Sequence, residues 1–133
     1  MANPLDVAAR AMNAQMLRLN TTASNIANAD TIASSADQAY RARQTVFSTV
    51  LDAQRNAAGV EVAGIVESDA AIPKRYEPGN PLADGDGYVY GSNVNTVEEM
   101  ANMMSASRSY QNNAEVFSTV KTLTLRALQL GRE

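Results

Sequence analysis

The sequence predicts a mainly α protein with a small β-rich middle, its long N- and C-terminal helices packed as an antiparallel coiled coil. Three observations predict it. Apolar residues recur at heptad spacing near both ends of the 133-residue chain. Six of the seven glycines and three of the four prolines lie between Gly59 and Gly91. The chain has 23 alanines against 26 Leu, Ile, Val and Phe together, a balance that suits closely approaching helices better than a thick core. The division that follows is residues 1–33 as the N-terminal helix of a coiled-coil domain, 34–92 as a small β-rich middle domain with irregular loops, and 93–133 as the C-terminal helix of the coiled-coil domain.

The first helix has a readable start. Asn3 is a good N-cap, Pro4 fits the first helical position, and Asp6 complements the helix dipole. Leu5, Ala9, Met12, Met16, Leu19, Ala23 and Ile26 follow in alternating steps of four and three. That spacing is a heptad seam; an amphipathic helix on a globular core is the alternative reading. The pattern stops at Asp30, where the next seam position is charged.

The middle carries strand and turn chemistry. Val60–Glu67 alternates two faces at period two, as a strand does. Ile72–Tyr76 and Gly87–Tyr90 are short strand candidates, and Glu77–Gly87 (EPGNPLADGDG) is turn material. These segments predict a small hairpin or meander. Tyr40–Gln54 fits either a strand or a helix. Residues 60–92 hold six acids against Lys74 and Arg75.

For the last helix, Asn95 is the cap and Glu98, three residues on, completes a capping-box spacing. Glu98 and Glu99 are read as charges that complement the dipole, and Gly131 as the stop. A second seam runs Val116, Val120, Leu123, Ala127, Leu130. Upstream, Val97, Met100 and Met104 form another stripe, joined by Tyr110 and Phe117 on shifting faces. A helix over 95–130 is about 54 Å long, whereas a compact domain of this length is only about 36 Å across. The helix must project, and its remaining apolar faces call for other subunits.

Composition excludes much chemistry. With no His and no Cys, thiol catalysis, disulfides, Cys/His zinc sites and Ser-His-Asp arrangements are out. The net charge is −3 and no basic face is concentrated, so nucleic acid is not expected. No apolar run spans a bilayer, and Met1–Leu19 lacks the pattern of a cleaved secretory signal. Asp84-Gly85-Asp86-Gly87 superficially resembles a calcium loop, but Tyr88 and Tyr90 stand where ligands should follow and Asn95 stands at the twelfth position; a turn is expected. Glu98 and Glu99 are adjacent and cannot face each other as a glycosidase pair. No enzyme activity, cofactor, metal or small-molecule substrate is therefore expected. Asn20, Asn25 and Asn28 crowd the end of the first helix. Two readings stay open: they end the helix locally, or their amides bridge neighbouring helices in an assembly.

Ala23–Thr31 (ASNIANADT), closing a heptad helix, resembles the Asn-rich signature of the bacterial flagellar rod, hook and filament-junction axial proteins. Tyr40–Arg43 (YRAR), Val60–Ser68 (VEVAGIVES), and Tyr76–Tyr90 leading into Asn93–Tyr110 are similar to the proximal-rod members of that family. Ser92 departs from the pattern, which has proline there. The resemblance implies a structural subunit of the proximal rod of the flagellar basal body, transmitting torque and lining the axial export channel by helical coiled-coil assembly. It implies export without a cleaved signal by the flagellar type III apparatus, and a periplasmic place. The implied partners are copies of itself, other proximal- and distal-rod proteins, the rod–ring junction protein and the export apparatus. The seam and stripe residues named above, with Asn25 and Asn28, are then the expected assembly interface. The rival readings are a free-standing helical adaptor for a partner coiled coil and, more remotely, a hydrolase using Asp84 and Asp86.

Overall fold

The computed structural model describes residues 3–52 and 57–132. Ala53 and Gln54, part of the segment read as strand or helix, lie outside the described residues, as do the outermost residues of the two terminal segments. The elements are α1 (Pro4–Ala27), β1 (Arg43–Asp52), β2 (Ala57–Glu67), β3 (Lys74–Tyr76), β4 (Tyr88–Tyr90) and α2 (Thr96–Leu130).

Local chemistry sets the helix ends. The Asn3 carboxamide oxygen accepts from the Leu5 N–H at 3.0 Å, Pro4 opens the helix, and Asp6 pairs with Arg10 at 3.4 Å one turn on. α1 ends at Ala27, a little before Asp30. There the Asn28 side chain donates to the Ser24 carbonyl at 2.8 Å, and the Thr31 hydroxyl donates to the Asn28 carbonyl at 2.7 Å. Asn95 caps α2 by accepting from the N–H groups of Val97 and Glu98, both at 3.2 Å.

The two helices pack antiparallel along each other. Asn25, near the end of α1, stands beside Glu99 in the first turn of α2, while Ala9, Met12 and Met16 share a groove with Tyr110 and Phe117. α1 has 24 residues and α2 has 35; at 1.5 Å per residue α2 is the longer by about 16 Å. The excess lies at its C-terminal end, where Lys121 through Arg132 are all exposed.

β1 and β2 form an antiparallel hairpin running from the Arg43–Glu67 pair to the Asp52–Ala57 pair. The register slips once, between Val46 and Phe47, leaving Ala63 as the extra residue of a bulge and sharpening the local twist. The ambiguous segment is thus a strand from Arg43. The hairpin lies on α1: Arg10, Asn13, Ala14 and Leu17 line a groove with Val60, Glu61 and Val62. β3 and β4 make a second, separate pair (Lys74–Tyr90 to Tyr76–Tyr88), extended by a bridge from Ala33 to Tyr90. β3 is shorter than the strand expected from Ile72, because Pro73 has no N–H to give the ladder. α1 is therefore covered by α2 on one side and by the hairpin on another.

The interior is as thin as the composition suggests. Among the described residues the buried apolar ones are Ala8, Ala14, Ala39, Ala42, Val89 and Ala106. Alanines let backbones approach closely but bury little area, so directional polar contacts carry a large share of the tertiary specificity.

Candidate functional site

The seam residues occupy the long faces of the helices but not their deepest positions. The buried residues of α1 are Ala8, Ala14, Thr21, Thr22 and Asn25. Leu5, Ala9, Met12, Leu19, Ile26 and Asn28 are half-buried, and Met16 and Ala23 are exposed. The reason is the two-sided covering of α1: small or polar side chains sit beneath its neighbours, and the bulkier stripe lies at the margin. On α2, Tyr110, Phe117 and Val120 are half-buried against the helix pair. Val97, Met100, Met104, Val116, Leu123, Ala127 and Leu130 face solvent, with Val97 and Leu130 each 75% exposed. Leu125 and Leu128 join Leu123 and Leu130 on the projecting end. These two leucines fall off the heptad seam and put apolar side chains on a second face of that end, between Lys121, Arg126 and Gln129. The hairpin adds exposed Val46, Phe47, Leu51, Ile65 and Val66.

Asn25 is engaged within the single chain. It is 1% exposed, and all four of its hydrogen-bonding positions are used inside the chain. Its amide nitrogen donates to the Arg43 carbonyl at 2.7 Å and to the Glu99 carboxylate at 3.0 Å. Its oxygen accepts from the Tyr40 hydroxyl and from the Arg43 N–H, both at 2.9 Å. In the single chain its amide joins α1, the root of β1 and α2. Asn28 spends its amide on the Ser24 carbonyl, a local helix end. Glu99 is likewise more than a dipole charge, being only 5% exposed and held by Asn25. No spacing rule could have shown this pair, which is 74 residues apart.

The residues before α2 reinforce the same end. The Asn93 side chain accepts from the Ala42 N–H at 2.6 Å and donates to the carbonyls of Ser68 and Ala70 at 3.2 and 3.0 Å. The Ser92 hydroxyl donates to the Ala29 carbonyl, a tie that the proline expected there could not make.

The Asp84 loop is a turn organised by its first acid. One Asp84 carboxylate oxygen accepts from the N–H groups of Asp86 and Tyr88, at 3.0 and 2.9 Å. The other accepts from the Tyr90 hydroxyl at 3.1 Å. The Tyr88 N–H first, with the Tyr90 hydroxyl and the N–H groups of Asp86 and Gly87, holds Asp84 below the usual carboxylate range. The same Asp84 contact pushes the Tyr90 phenol up. Gly87 sits at φ +85°, where a Cβ would stand 2.9 Å from the Tyr76 ring.

Among the described residues no helix is long and apolar enough to cross a membrane. Two family models match the two helical ends. Residues 5–31 match the flagella basal body rod protein family, and residues 86–130 match the C-terminal family of the flagellar basal body rod FlgEFG proteins. The chain is 51% identical to the flagellar basal-body rod protein FlgC of Salmonella typhimurium (strain LT2), covering 98% of this chain and 97% of that one. It is equally 51% identical to FlgC of Escherichia coli O6:H1, over the same shares. Against FlgC of Bacillus subtilis (strain 168) the identity is 31% over 96% of both chains.

Proposed function

We infer the finer role of the chain from its kinship: it belongs to the FlgC family of flagellar basal-body rod proteins and is a structural, non-enzymatic subunit of the rod. The reading supported best is a subunit of the proximal part of that rod, exported by the flagellar type III apparatus without a cleaved signal and assembled in the periplasm. Its helices pack lengthwise against copies of itself and against other proximal- and distal-rod proteins and the rod–ring junction protein. They line the axial channel and transmit torque, with residues 1–33 and 93–133 as the helical layer and 34–92 as the outer domain.

One observation supports this above the rest. α2 outruns α1, and the overhang exposes Leu123, Leu125, Leu128 and Leu130. Apolar surface is worth roughly 25 cal/mol per Å² when removed from water, so a leucine-clad helix end gains most from being surrounded by other helices. Contacts laid along whole helices also resist the shear that torque applies. The assembly surface is then Leu5, Ala9, Met12, Met16, Leu19, Ala23, Ile26 and Asn28 on α1, with Val97, Met100, Met104, Tyr110, Val116, Phe117, Val120, Leu123, Ala127 and Leu130 on α2. The exposed leucines at 125 and 128 extend it.

Leu123→Asp tests the reading. The residue is exposed in the single chain, so the purified variant should keep its circular dichroism and thermal midpoint. Cells carrying it should not swim, and the variant should be missing from purified basal bodies. Normal swimming and normal incorporation would reject the surface.

A further inference from the structure

Along its described length α2 buries only Glu99 and Ala106. Among the described residues, the side-chain hydrogen bonds between α2 and α1 are both near its start. They are Asn25 to Glu99 at 3.0 Å and Arg18 to Asn102 at 3.4 Å. Beyond Asn102 the pairing rests on apolar contact, with Ala106 buried and Tyr110 and Phe117 half-exposed. Among the described residues the hairpin packs on α1, and Arg43, Gln44, Thr45 and Phe47 of β1 line a cavity with Glu98, Glu99 and Asn102 of α2. Its first residue, Arg43, gives both its N–H and its carbonyl to Asn25. A single side-chain amide thus stands where a neighbouring strand would pair, and holds the carboxylate of the other helix as well.

We propose that Asn25 is an intrachain latch: its amide fixes α1, the root of β1 and the first turn of α2 at one point, and α2 opens and closes against α1 from that point. A buried polar network that is fully paired specifies one arrangement, while the loss of one member strands every partner. Removing Asn25 leaves the Arg43 N–H and carbonyl and the Glu99 carboxylate short of a partner, and leaves the Tyr40 hydroxyl with its 3.4 Å contact to the Ser24 hydroxyl. The apolar contacts of this interior, mostly alanine, cannot hold the same register by shape. The device is local. The β3–β4 pair has its own ladder, its own Asp84-centred turn and its bridge to Ala33, and none of these passes through Asn25. The inference concerns the single chain and does not depend on its place in the rod.

Hydrogen exchange on the full-length chain in dilute solution tests it, comparing residues 97–106 with residues 76–90. Asn25→Asp keeps the shape and the accepting oxygen, removes both donors, and sets a second carboxylate beside Glu99. It should lower protection of 97–106 by about tenfold or more and leave 76–90 near the parent value. Asn25→Asp combined with Glu99→Gln reverses donor and acceptor and should restore part of the loss. Leu123→Ser, at the free end of α2, should leave 97–106 as they were. Unchanged protection in Asn25→Asp would overturn the latch. So would an equal fall in 76–90, absence of rescue in the double variant, or a loss in Leu123→Ser as large as that in Asn25→Asp.

Discussion

The hydroxyl of Tyr90 donates to the carboxylate of Asp84 at 3.1 Å, closing the turn that joins β3 to β4. The pair ties the end of β4 to Asp84 within that turn, so the β3–β4 unit should respond to pH at both extremes. The folded pKa of Asp84 is lowered, chiefly by the Tyr88 N–H. Its contribution is therefore present above the ordinary carboxylate value of about 4 and is lost as pH falls through the lowered one. The folded pKa of Tyr90 is raised. Its contribution is present below about 10 and is lost as pH rises through the raised value. The protection of amides in residues 84–90, relative to their intrinsic exchange rates, should fall at both ends of the range, and Asp84→Asn should flatten the acid limb. An unaltered acid limb in that variant would remove Asp84 as its source.

Gly87 at φ +85° faces the Tyr76 ring and Pro78. Gly87→Ala should destabilise the β3–β4 unit by about 1–2 kcal/mol from the left-handed backbone alone, and more because the new Cβ displaces a ring. The edge-on Tyr76–Tyr88 contact, with centroids 5.3 Å apart, should loosen, and tyrosine fluorescence and near-ultraviolet circular dichroism should report it. A variant with parental spectra and midpoint would show that the turn does not need glycine.

The Ser92 hydroxyl reaches the Ala29 carbonyl from the segment leading into α2. Ser92→Ala should cost about 1 kcal/mol, a few degrees in thermal midpoint for a chain of this size. No change in midpoint would mean that the contact is energetically idle.

Much of the fold was legible because it depends on local chemistry. The caps Asn3 and Asn95, the alternation of Val60–Glu67 and the turn from Glu77 to Gly87 each need only a few neighbouring residues to be recognised. β1 was ambiguous for a physical reason. The hairpin covers α1 with one face and leaves the other in water, and Val46, Phe47 and Leu51 are exposed all the same, so its apolar residues do not mark a buried side. The heptad spacing found α1 but not its buried stripe, since a helix covered on two sides hides Ala14, Thr21 and Asn25 rather than Met16. The Asn25–Glu99 pair was beyond sequence reading, because only the antiparallel return of α2 brings those side chains together. On the exposed end of α2 the heptad spacing marks Leu123 and Leu130, while Leu125 and Leu128 lie off that spacing and are distinguished only by the overhang of α2 beyond α1.

The overhang also sets an exchange pattern for the dilute chain. Lys121–Arg132 are exposed throughout, so their amides should exchange with little protection, while Thr21–Ala27 and Val97–Ala106 exchange slowly. Uniform protection along α2 would mean that the single chain covers its own end.

The central claim is that the leucine-clad end of α2 is completed by neighbouring chains in the rod. A subunit-resolved density map of intact basal bodies tests it most directly. The account predicts Leu123, Leu125, Leu128 and Leu130 packed on all sides against helices of adjacent subunits, with Asn25 still bonded to Glu99 of its own chain. Leucines facing water in the assembled rod, with subunits joined only through the β strands, would contradict it.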